Sequence, residues 1–97
     1  TYLMTQMAVD EAVRNLICHG VDPEKVALVD NFCWPDPTPG EKNPDAEFKL
    51  AQLVRSCMAL KEMMVTYGMP LVSGKDSMKN DYHGDRVKIS VLPTLLV

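Results

Sequence analysis

From Leu3 to His19 the apolar positions Leu3, Met4, Met7, Ala8, Ala12, Val13, Leu16 and Ile17 recur at three- and four-residue spacing, and Gly20 follows them. That period matches the turn of an α-helix and predicts one over 3–19, stopped by the glycine. Val26-Ala27-Leu28-Val29 is a continuous apolar run, entered from Asp22-Pro23 and left at Asp30-Asn31. It predicts a short buried strand that ends in two polar residues. Pro35, Pro37, Pro39 and Pro44, with Gly40, exclude regular structure and predict a stiff surface loop. Asn43-Pro44 suits the cap and first position of a second helix. Phe48, Ala51, Val54, Cys57, Met58 and Met64 keep helical spacing as far as Tyr67, where Gly68 and Pro70 impose a stop. Pro70 to Ser73 then predicts a strand and 74–85 a polar loop. From Arg86 to Leu92 a strand is predicted, alternating Val87, Ile89 and Val91 with Lys88 and Ser90.

The order helix, strand, helix, strand, strand predicts an α+β fold, two helices covering one face of a small mixed sheet. At 97 residues the chain is one small domain at most. Its pattern starts inside a helix and runs out on the apolar, strand-like Leu95-Leu96-Val97. We expect residues 1–97 to be a single partial domain, a fragment of a larger protein.

Apolar residues make up 46% and charged residues 24%, which argues against wholesale disorder. A net charge of -3 offers no basic field for a nucleic-acid backbone, so no nucleic-acid partner is expected. No apolar run reaches the roughly 20 residues of a membrane helix, and no signal-peptide pattern opens the chain. A cytoplasmic location without membrane attachment is expected. Cys18, Cys33 and Cys57 are odd in number and form no CxxC pair, which predicts reduced, mostly buried thiols in place of a disulfide framework or a zinc site.

Candidate chemistry falls in three places. Glu11 and Asn15, four apart on the first helix, share a face as two hard oxygen donors suited to Mg²⁺; an exposed pair, or Glu11 bridged to Arg14, is the simpler reading. Asp30 closes the first strand, where it can hold a metal or a ribose hydroxyl, or cap the strand as a turn former. Ser73-Gly74-Lys75-Asp76-Ser77 joins a flexible backbone, a cation, a carboxylate and two hydroxyls. These suit a phosphate-cradling turn or an ordinary hairpin loop, and lack the first glycine of a P-loop. Phe32 and Trp34 around Cys33 read as an aromatic anchor for the proline loop, or as a stacking platform beside a reactive thiol. His83 reads as a solvated turn residue or a proton carrier.

Three words occur in order: Asp10-Glu11-Ala12-Val13-Arg14-Asn15, Asp30-Asn31-Phe32-Cys33-Trp34, and Ser73-Gly74-Lys75-Asp76-Ser77-Met78-Lys79-Asn80-Asp81. Together they resemble the phosphoribosylformylglycinamidine synthase family over essentially the whole chain. The likeness is to a segment of the second of two tandem halves, each similar to the N-terminal domain of aminoimidazole ribonucleotide synthase. It implies an α+β unit of order β-α-β-α-β-β whose first strand lies upstream of Thr1, and two such units meeting in a shared barrel with nucleotide sites at the junction. The implied reaction is ATP-dependent amidation of formylglycinamide ribonucleotide, with Mg²⁺ and with ammonia from a glutaminase domain or subunit.

Residue by residue, the resemblance implies that Glu11 and Asn15 hold Mg²⁺ at a nucleotide site. Asp30 and Gly74 match nucleotide (ATP or ADP) contacts, and Ser77 a phosphate or substrate contact. Small-form members carry a metal-serving Asn where Lys75 stands; a cation cannot ligate Mg²⁺, so charge pairing with phosphate is implied for Lys75 instead. The site with a Glu-xxx-Asn pair has the look of an auxiliary, structural one. The catalytic His and the glutaminase Cys lie outside these residues, so the fragment alone is expected to be inactive. Two alternatives stand beside this reading: an assembly module with the same fold that self-associates or pairs with the other half-domain, and another ATP-using member of the superfamily.

Overall fold

The computed structural model describes residues 1–97. Its first helix, α1, spans Tyr2–Cys18, and its second, α2, spans Ala46–Tyr67. Both end through glycine: Gly20 and Gly68 take φ of +75° and +68°, the left-handed region where a side chain is disfavoured. At α1, Gly20 N–H donates to Ile17 O and Val21 N–H to Leu16 O, the pair of bonds that satisfies the last free carbonyls. The expected cap at Asn43-Pro44 is displaced, because α2 starts only after Asp45. Asn43 is committed to the loop instead, where its Nδ2 donates to the carbonyls of Asp36 and Thr38 at 2.8 Å each.

Strand β1 runs Leu28–Cys33, later and longer than the apolar run 26–29 suggested. Asp30 and Asn31 therefore lie inside a strand, where pairing with neighbouring strands holds their backbone. β2, Leu71–Ser77, pairs parallel with β1, while β5, Thr94–Leu96, pairs antiparallel on its other edge. The sheet order is β2-β1-β5. A separate hairpin joins β3, Asp81–His83, to β4, Lys88–Ser90. The α+β class holds, with two helices and a small mixed sheet. Two details differ from expectation. The SGKDS word continues β2 rather than forming a loop, because backbone pairing with β1 overrides its polar, turn-prone composition. The single strand expected over 86–92 is β4 alone, and the alternating Val87, Ile89 and Val91 are exposed on that hairpin.

The core sits between the helices and one sheet face: Val9 and Val13 from α1, Leu60 from α2, Leu28 and Phe32 from β1, Leu95 from β5, with Trp34 and Met69. Trp34 is fully buried, its Nε1–H donating to Lys49 O at 3.0 Å, and Phe32 meets it edge-on with centroids 5.9 Å apart. The aromatic pair anchors the chain entering the proline loop to α2. Thr5 and Ser56, both fully buried, hydrogen-bond each other across the α1–α2 seam. The cysteines depart from expectation: Cys18 and Cys57 are exposed and Cys33 is half-buried, because helix rotation turns the first two away from the core. Neither helix is long and apolar enough to cross a membrane.

Candidate functional site

Strand alternation decides which candidate residues meet. Asp30 is opposite Gly74 and Phe32 opposite Asp76, so these four share the helix-covered face. Asn31 is opposite Lys75 and Cys33 opposite Ser77, so these share the other face. The SGKDS word is thereby divided between two faces of one strand.

On the helix-covered face the Asp30 carboxylate lies directly over Gly74. A Cβ at Gly74 would stand 2.0 Å from Asp30 Oδ1, so the absence of a side chain is what makes room for the carboxylate. Burial raises the Asp30 pKa above the ordinary carboxylate value, and the charge of Asp76 adds to the effect. The Cys57 thiol on α2 is raised likewise, first by burial and then by Asp76 and Asp30. Asp76, Asp30 and the Cys57 thiol thus lie near enough to influence one another's charge, and no salt bridge reaches either carboxylate.

On the opposite face Lys75 Nζ donates to Ser77 Oγ at 2.7 Å, and Ser77 Oγ donates to Asn31 Oδ1 at 3.4 Å. An ammonium, a hydroxyl and an amide are held in line on adjacent strands, a set that can bind oxyanions. Sequence reasoning passed over Asn31; its signal was a place beside Asp30 in the same word, legible only once the two strands pair.

Glu11 and Asn15 lie apart from both groups, at the β5 edge. With Ala8, Ala12 and residues 95–97 they line a cavity of about 220 Å³. Arg14 does not neutralise Glu11: its Nε bonds Asp10 Oδ2 at 2.6 Å, and this bond, with that of Tyr67 to Asp10, lowers the Asp10 pKa. Both oxygen donors are exposed. No three His, Cys, Asp or Glu side chains gather anywhere to hold a metal. Glu11 and Asn15 fit Mg²⁺ only as part of its shell, since that ion takes one or two protein oxygens and fills the rest with water and phosphate. The structure thus brings Lys75 to Ser77, Asp30 to Gly74 and Glu11 to Asn15, as three pairs that do not merge into one pocket.

Comparison with known proteins places the chain in a family. The model for "AIR synthase related protein, N-terminal domain" matches residues 1–94. The chain is 33% identical over 95 residues to the phosphoribosylformylglycinamidine synthase subunit PurL of Thermomicrobium roseum, covering 98% of this chain and 11% of that protein. It is 36% identical over 78 residues to the subunit of the same name from a Synechococcus species, covering 80% and 9%. With that of Lacticaseibacillus paracasei the figures are 30% over 81 residues, covering 84% and 10%. The chain therefore spans about a tenth of the length of these curated relatives. No solved structure matches it. The resemblance read from the three sequence words is upheld, and the chain belongs to the family of AIR synthase related protein N-terminal domains.

Proposed function

We propose that the chain is a segment of a phosphoribosylformylglycinamidine synthase and supplies part of a nucleotide–Mg²⁺ site and of a barrel interface. The parent enzyme would amidate formylglycinamide ribonucleotide with ATP, taking ammonia from a glutaminase domain or subunit, in the cytoplasm. The observation that carries this reading is the parallel pairing of β1 with β2. It brings the DNFCW and SGKDS words side by side and leaves Asp30 seated over Gly74.

In this reading Lys75 and Ser77 hold phosphate oxygens, as their aligned ammonium and hydroxyl support. Asp30 accepts from a nucleotide hydroxyl. Glu11 and Asn15 hold Mg²⁺, which neutralises phosphate charge when bound. The separation of the three pairs supports a site completed by another part of the enzyme. Exposed Val29 and Leu96, on the sheet face away from the helices, support a second sheet packing there. Alone, the segment orders no complete reaction centre and is inactive.

Thermal unfolding with and without Mg-ADP tests the reading. At about ten times Kd, linkage stabilises by about 1.4 kcal/mol, several degrees for a chain of this size. Glu11→Ala removes that gain if the assignment holds. An equal gain in Glu11→Ala would refute the metal assignment, and pairing of the chain with no nucleotide response would favour a purely assembling module.

A further inference from the structure

Between the proline loop and the β3–β4 hairpin lies a second polar cavity, of about 480 Å³, that shares no residue with the three pairs above. No aliphatic or aromatic hydrophobe lines it. Its charged walls are Lys42, Lys79 and Lys88 against Asp36 and Glu41, with His83 beside them, an excess of cations in a chain whose net charge is -3.

The floor is rigid. Asn43 is buried and fully bonded, and its Oδ1 accepts from both Lys49 Nζ and Lys88 Nζ at 2.8 Å. Two ammonium groups are thus within twice that distance of each other. Lys49 has a close counter-ion in Asp45 at 2.9 Å, but Lys88 has only Asp81 at 3.8 Å, beyond hydrogen-bond range. Of the two acids, Asp36 already accepts from the Thr38 amide at 2.9 Å and stands 3.8 Å from Lys79.

Lys79 supplies an independent observation. It is the one non-glycine residue at positive φ, +61°, in a turn closed by Asp81 N–H donating to Lys79 O at 2.8 Å. Glycine would occupy that conformation without strain, and here a long cationic side chain stands in it at the cavity.

We propose that this cavity binds the phosphate group of a small molecule, with Lys79 and Lys42 contacting its oxygens and Lys88 adding charge from the floor. Three ammonium groups around one concavity suit the oxygens of a phosphate, free or carried on a sugar. The inference is independent of the nucleotide reading, since none of its residues is Glu11, Asn15, Asp30, Gly74, Lys75 or Ser77.

Amide NMR of the 97-residue chain, titrated at constant ionic strength with inorganic phosphate, ribose 5-phosphate and sodium chloride, tests it. Saturable shifts at Gly40, Lys42, Lys79 and Gly84 are expected with both phosphates and not with chloride. Tighter binding of ribose 5-phosphate assigns a sugar phosphate, and equal binding assigns phosphate. Lys79→Gly, which removes the ammonium and relieves the backbone, should weaken binding about tenfold, the scale of one charge-assisted bond. Lys42→Gln, away from the turn, gives a second reading if the glycine variant unfolds. Shifts matched by chloride, shifts confined to residues 73–77, or affinity unchanged in both variants would overturn the proposal.

Discussion

Gly74→Ala is the substitution whose outcome depends most directly on where Asp30 lies. The new methyl would stand 2.0 Å from Asp30 Oδ1 and 3.2 Å from its Cγ, so the carboxylate must swing away. Asp76 already interacts unfavourably with its charge. Gly74 is exposed and the opposing atom is the tip of a side chain, so the cost is at the low end of the overpacking range, about 1 kcal/mol. Loss of glycine's freedom in the unfolded chain offsets about 0.4–1 kcal/mol of that. A net loss of at most about 0.6 kcal/mol follows, at roughly 4–8 °C in Tm per kcal/mol for a domain of this length. In an Asp30→Ala background the opposing atoms are gone, and Gly74→Ala should be neutral or stabilising by up to about 1 kcal/mol. Urea unfolding followed by the fluorescence of buried Trp34 measures all four corners of the cycle, with an expected coupling of about 1 kcal/mol. Equal cost of Gly74→Ala in both backgrounds would refute the reasoning.

The polar seam between the helices predicts an asymmetry: Thr5→Val alone should cost about 1–3 kcal/mol by orphaning the buried Ser56 hydroxyl, while Thr5→Val with Ser56→Ala should recover most of it in denaturant titrations. Asn43→Ala removes the acceptor of two ammonium groups and should cost about 3 kcal/mol or more, with hydrogen exchange rising in the proline loop and the hairpin before the helix pair. Asp30 has a raised pKa, so its contribution to stability is greatest below the unfolded value of about 3.9 and is lost as pH rises through the folded value. Asp30→Asn should accordingly raise Tm at pH 7 and change it little at pH 3. Asp36 is held low chiefly by the Thr38 amide. Asp81 is pushed up by burial but held low on balance by hydrogen bonds, among them the Asp36 amide, and by Lys88 and Lys49. Their contribution is present above about pH 3.9 and disappears as pH falls through the lower folded values, so the loop–hairpin junction should open first in an acid titration.

The helices were legible because apolar residues recur at three- and four-residue spacing and because Gly20 and Gly68 stop them by a local steric rule. The packed face was not, since Phe48, Ala51, Val54, Cys57 and Met58 of α2 are exposed while Val9 and Leu60, outside the stripes read, fill the core. β2 was legible only in its apolar start. Its polar half, Gly74 to Ser77, is a strand because β1 pairs with it, a long-range fact that no local window contains. The same holds for the chemistry. Spacing on one helix brought Glu11 to Asn15 correctly, since four residues make a turn. The division of SGKDS into an Asp30 face and an Asn31 face needed the register. Asn43 was read as a helix cap, a role its residue type suits, and the lysines that claim it come from α2 and β4. Sequence gives such a residue its capacities, and tertiary neighbours choose among them.

Calorimetric titration of Mg-ADP into the chain extended by the parts of the enzyme that flank it, beside Glu11→Ala and Lys75→Ala in the same protein, is the most direct test of the proposed nucleotide site. The account predicts saturable binding that requires Mg²⁺, disappears in Glu11→Ala and weakens about tenfold in Lys75→Ala, the loss expected for one charge-assisted phosphate contact. Full affinity in both variants, or no heat of binding from the folded, extended protein, would contradict it.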